Sequence, residues 1–148
     1  MEPLIRALGP RIYVDANIVV YSVEGFAAYE TLIKALLRAL DNQEVAVVTS
    51  ELTLAEVLVK PKQDKNAALQ EAYLRFLEPS AVLELVPVTQ PVLVASAEIR
   101  ATSHLKLPDA IHVATAQQAG CDTFLTNDRS LQSWTAPPAK LISSLMSS

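Results

Sequence analysis

LKLPDAIHVATAQQAGCDTFLTNDRSL, residues 105–131, decides how this chain folds. Pro108 suits the first turn of a helix, where its missing N–H goes unneeded, and Gly120 suits the position just past the end. The next run, DTFLT at 122–126, reads as a short strand, and a further short helix opens near Arg129. Acids stand at the borders of these elements: Asp109 in the first helical turn and Asp128 just after the strand.

The same alternation extends outward. Residues 11–15 (RIYVD) form a buried strand that ends in an acid, and a helix follows over 17–23 until Gly25 breaks it. Over 26–40 the apolar positions Ala28, Leu32, Ala35, Leu36 and Ala39 recur at helical spacing. EVAVVT at 44–49 is a second strand. It leads into a helix at 50–59, with Ser50 or Thr49 as N-cap and Pro61 as its stop. A fourth helix is expected over 62–77, ended by Glu78-Pro79, and a third strand over 82–88, loosened by Pro87. Thr89 opens a helix that tolerates Pro91 in its first turn and runs to about Ser103, and KLIS at 140–143 suits a fifth strand. Strands alternating with helices specify an α/β fold around a mostly parallel sheet. No repeat, linker or low-complexity tract divides the chain, so a single domain is expected over residues 1–148.

Composition limits the function classes. Hydrophobic residues make up 51%, charged residues 19% and aromatics 5%, which excludes disorder and predicts an aliphatic core. MEPLIRALGP has no long apolar run, so no signal peptide is expected, and no stretch approaches the length of a membrane span. The single cysteine, Cys121, cannot close an internal disulfide, which fits a cytoplasmic setting and an inert, buried thiol. The net charge of −4 opposes a broad phosphate-binding face. It comes from 16 acids against 12 Lys and Arg, so a cluster of four acids accounts for the whole surplus.

Four acids lie where parallel sheets bind ligands, outside the carboxyl ends of the strands: Asp15, Glu56, Asp109 and Asp128. Converging carboxylates repel and call for a cation, and hard oxygen donors suit Mg²⁺ or Mn²⁺. One cysteine and two histidines exclude a Cys/His zinc site. Taken singly, each acid also has a plainer reading. Asp15 and Asp128 suit caps, the helix dipole favours Asp109, and Glu56 suits a solvated face. Glu30, Asp41, Glu51, Asp64, Glu71 and Glu78 read as solvated acids.

IYVDANIVVYSV (12–23), LTLAEVL (52–58) and the 105–131 stretch together resemble the PIN-domain ribonucleases, most of all the VapC-like toxins of toxin–antitoxin pairs. The resemblance runs from Ile12 to about Ser143. It implies a three-layer α/β/α sandwich with a central mostly parallel sheet and acids clustered at one end. It also implies that Asp15, Glu56, Asp109 and Asp128 serve as catalytic and metal-binding residues with Mg²⁺ or Mn²⁺. RNA is the implied substrate, a VapB-like cognate antitoxin the implied partner, and a homodimer the implied assembly. The family often has Thr or Ser after the first acid; here it is Ala16, leaving Asn17 as the polar neighbour. Thr126 fits a hydroxyl that bonds a carboxylate. Lys106 and Arg129, beside the acids in sequence, are the RNA-contact candidates, ahead of Lys60, Lys62 and Lys65.

An antitoxin groove is expected on the helices at 26–40 and 50–59, through Leu32, Leu36, Leu54 and Leu58. His112 reads as a packed structural residue, His104 as a surface loop residue, and Tyr13 and Tyr21 as core or rim. A dehalogenase-like phosphatase would want a second acid where Asn17 stands, and a receiver domain lacks its acidic pair and strand-end lysine. A PIN-fold binding protein or a free-standing PIN nuclease are the remaining alternatives.

Overall fold

The computed structural model describes residues 1–146. Five short strands form one all-parallel sheet in the order β3-β2-β1-β4-β5. They are β1 (Arg11–Val14), β2 (Ala46–Ser50), β3 (Leu83–Val86), β4 (Thr123–Thr126) and β5 (Ala139–Leu141). Tyr13 sits opposite Val48 on one side and Phe124 on the other, so the β1 register fixes the middle of the sheet.

Side-chain alternation along these strands feeds two cores. Ile12, Val14, Val47, Leu83 and Leu125 face one way. There they meet α1 (Glu2–Ala7), α2 (Ala16–Glu24), α3 (Glu30–Asp41) and α5 (Ala67–Phe76). Tyr13, Val48 and Phe124 face the other way, against α6 (Gln90–Ala101) and α7 (Leu107–Gln118). The result is the three-layer α/β/α sandwich. α4 (Glu51–Gln63) leaves the end of β2, and a short α8 (Ile142–Met146) follows β5. Among the described residues no helix is long and apolar enough to cross a membrane.

Several expected boundaries move. Pro61 does not stop α4; it lies buried inside the helix, which continues to Gln63. Pro61 lies in the last turn of the helix and gives up its own N–H bond, while its carbonyl is satisfied by Asn66 N–H at 2.8 Å and the Gln70 amide at 3.2 Å. The helix expected at 62–77 is therefore split. Lys65 turns at φ 54°, and Asn66 caps α5 by accepting from Leu69 N–H at 3.1 Å. Ala28 is exposed and sits in a short 3-10 turn, Ala27–Tyr29, ahead of α3. An additional helix, α1, precedes β1, and Ile5 and Leu8 anchor it to the core. The fifth strand covers 139–141 only.

Candidate active site

Asp15 is the first residue beyond β1 and the N-cap of α2, where its Oδ1 accepts from Ile18 N–H at 3.4 Å. Its side chain is buried. The Thr126 hydroxyl, at the end of the adjacent β4, donates to Asp15 Oδ2 and accepts from Asp128 N–H at 3.0 Å. One hydroxyl thus ties the first acid to the backbone of the fourth. The Asp128 carboxylate caps the following 3-10 turn, Arg129–Leu131, through Ser130 N–H at 2.9 Å and the Ser130 hydroxyl at 2.8 Å.

Asp109 lies half-buried in the first turn of α7. Glu56, from the middle of α4, reaches across to α7, and His112 Nε2 lies 2.6 Å from its Oε1. The parallel register and the two helices that leave β2 and precede β4 thus carry all four acids to the carboxyl edge of the sheet.

Electrostatics link them. Burial pushes the Asp15 carboxyl up to about 6; Thr126, His112 and the Ile18 N–H oppose the rise, and Asp109 adds to it. Burial also raises Asp109, followed by the charges of Asp128 and Glu56, while His112 and Lys106 pull it down. Asp15 and Asp109 are thus both held back from ionising, and a cation beside them would relieve that cost. As placed, no group of three or more His, Cys, Asp and Glu side chains among the described residues stands close enough together to clasp a metal ion. Mg²⁺ takes one or two carboxylates directly and keeps several waters, so the oxygen donor set suits it without a three-residue cage.

The other expected residues divide. Thr126 is at the centre of the site. Asn17 is exposed, and its side chain has no hydrogen bond among the described residues. Lys106 and Arg129 are exposed, and Lys106 is close enough to be felt by Asp109. His112 is buried as expected, and it is held between polar partners, Glu56 and the Tyr13 hydroxyl. Asn127 adds a residue with no clear signal of its own in the sequence. Its amide donates to the hydroxyls of Tyr21 at 3.0 Å and Tyr29 at 3.4 Å, and only its place between Thr126 and Asp128 marks it in the sequence.

Cys121 is half-buried in the turn before β4, not within a strand, and burial pushes its thiol up to about 12. The groove expected through Leu32 and Leu36 is absent there, because both are buried in the core, and Leu54 and Leu58 pack against the same core.

The fold has counterparts among solved structures. A toxin–antitoxin complex from Klebsiella pneumoniae superposes with TM-score 0.64 at 23% identity, covering 88% of this chain and 97% of the other. VapBC2 from Rickettsia felis, bound to a DNA fragment from its promoter, gives 0.65 at 17%, covering 88% and 98%. VapC20 from Mycobacterium tuberculosis, a toxin that cleaves the sarcin-ricin loop, gives 0.58 at 19%, covering 76% and 86%. No curated protein sequence matches the chain. The PIN domain family profile matches residues 12–134, nearly the whole of the sandwich described above, and the chain therefore belongs to the PIN domain family.

Proposed function

We propose that this protein is a divalent-metal-dependent endoribonuclease, the toxin of a VapC-like toxin–antitoxin pair, acting in the cytoplasm as a homodimer. Asp15, Glu56, Asp109 and Asp128 are its catalytic and metal-binding acids, and Mg²⁺ or Mn²⁺ is its cofactor. The observation that carries this reading is the electrostatic coupling of the acids at the sheet edge. Asp15 is raised by burial and Asp109, and Asp109 by burial, Asp128 and Glu56.

When bound, a divalent cation supplies the charge that lowers the pKa of a water and offsets the negative charge of a phosphodiester. The residues of the chain prepare for it. Thr126 fixes Asp15 in one orientation by donating to Oδ2, which leaves Asp15 Oδ1 with only the long contact from Ile18 N–H among the described residues. Asp109 is half-buried, and the charge of the exposed Lys106 reaches it, which supports Lys106 as a contact for an incoming phosphate.

Support for a VapB-like antitoxin comes from the neighbours, several of which are toxin–antitoxin complexes. A cavity of about 350 Å³ lined by Tyr21, Phe26, Ile33, Lys34 and Leu37 offers apolar surface for such a partner, with Phe26 half in solvent. Incubation of a labelled single-stranded RNA with the wild type and with Asp109→Asn tests the activity. The wild type is expected to cleave, and the variant to lose cleavage at least a hundredfold while keeping its circular dichroism spectrum. An Asp109→Asn variant as active as the wild type overturns the assignment.

A further inference from the structure

A line of polar groups runs from the acids into the protein interior. Glu56 Oε1 lies 2.6 Å from His112 Nε2, and His112 Nδ1 lies 2.6 Å from the Tyr13 hydroxyl. The three residues belong to α4, α7 and β1. Tyr13 is fully buried, its ring stacked on Phe124 at 4.9 Å and edge-on to His112 at 5.8 Å. The His112 side chain is 3% exposed, whereas that of Glu56 is 33% exposed. The line therefore has a closed inner end and an open end at the site.

Its direction follows from donor and acceptor chemistry. A carboxylate offers acceptors only, so the proton between Glu56 and His112 sits on Nε2. In a neutral imidazole, protonation there leaves a lone pair on Nδ1, which then needs a donor. The Tyr13 hydroxyl is the group in reach, and burial keeps it protonated.

We propose that His112 is a positioning residue for Glu56: the Tyr13 hydroxyl holds the imidazole in its Nε2–H tautomer, and that N–H anchors one carboxylate oxygen of Glu56. Glu56 Oε2 is left without a protein partner among the described residues. A partly exposed glutamate on a helix otherwise spreads over several rotamers, and fixing it removes an ordering cost from the bound state. The inference deepens the nuclease reading and rests on it for its kinetic consequences. The tautomer does not depend on that reading.

Two measurements on the whole protein test it. The first is the long-range ¹H–¹⁵N imidazole spectrum at pH 7.5 without metal. There are only two histidines, and the other, His104, is exposed, so the buried ring is identified directly. Nε2 protonated with Nδ1 as acceptor is expected, giving way to a tautomer mixture in Tyr13→Phe. A ring protonated on Nδ1, alone or together with Nε2, overturns the proposal.

The second measurement is steady-state RNA cleavage. His112→Ala is expected to lower kcat about ten- to a hundredfold and Tyr13→Phe about tenfold, both with KM changed less than about threefold. His112→Gln, which can still donate to Glu56, recovers most of the loss. Added to Glu56→Gln, His112→Ala changes kcat less than about twofold, because the contact it serves is already altered. A full multiplicative loss in the double variant, or a folded His112→Gln as slow as His112→Ala, reduces His112 to a packing residue. A wild type that cleaves no RNA sinks the nuclease reading, while the imidazole spectrum still decides the arrangement of the three side chains.

Discussion

At Asp15 the demands of folding and of the site oppose one another. The carboxyl is buried at the end of a central strand, and its pKa rises from an ordinary 3.8 to about 6. Between those two pH values the unfolded chain has released its proton while the folded chain still holds it, so stability falls as pH rises from about 4 to 6 and then levels off. The difference corresponds to about 3 kcal/mol at neutral pH. Asp15→Asn keeps the shape but cannot ionise. In EDTA its stability relative to wild type is expected to grow from near zero at pH 4 to the order of a few kcal/mol at pH 7, measured by urea unfolding. A difference independent of pH would mean that Asp15 ionises as freely in the folded chain as in the unfolded one. Bound cation would reverse the sign of this local cost, so added Mg²⁺ or Mn²⁺ is expected to narrow the gap.

The elements are held by their ends more than by their lengths. Gly9 turns α1 into β1 at φ 88°, and a Cβ there would lie 2.6 Å from Asp122 Cβ. Asp122 cannot simply swing away, because its Oδ2 accepts from Arg11 N–H at 2.9 Å. Gly9→Ala combines left-handed strain with that clash and is expected to cost about 2–3 kcal/mol, lowering the urea midpoint without changing the slope. A loss under about 0.5 kcal/mol would show that this corner relaxes freely.

End signals also governed how much of the fold could be read from the sequence. Thr89 with Pro91 and Pro108 with Gly120 bracket α6 and α7, and the expected limits of those helices lie within about two residues of the observed ones. α1 has six residues, too few to show a period, and Asn66 splits a helix whose apolar spacing runs on past it. The acids were legible because each stands next to an end signal or within a motif. The partners of His112 were not, since Glu56 and Tyr13 are 56 and 99 residues away, and no local spacing announces them.

For the whole molecule, charge is the constraint. A net charge of −4 leaves no surplus for a broad basic face, so the proposed nuclease would hold RNA through a few cations beside the site. Lys106 and Arg129 are exposed at the borders of the elements that carry Asp109 and Asp128. Lys106→Ala with Arg129→Ala, in an Asp109→Asn background that does not turn over, is expected to weaken RNA binding. The salt slope should flatten by about 0.7 to 1 per lost contact. An unchanged slope would place the RNA path elsewhere on the surface. Cleavage of a labelled RNA by protein stripped of metal, followed by return of Mg²⁺ or Mn²⁺, tests the four-acid site most directly. No cleavage in EDTA and recovery on adding either ion are predicted; cleavage undiminished after exhaustive chelation would contradict the site and the mechanism together.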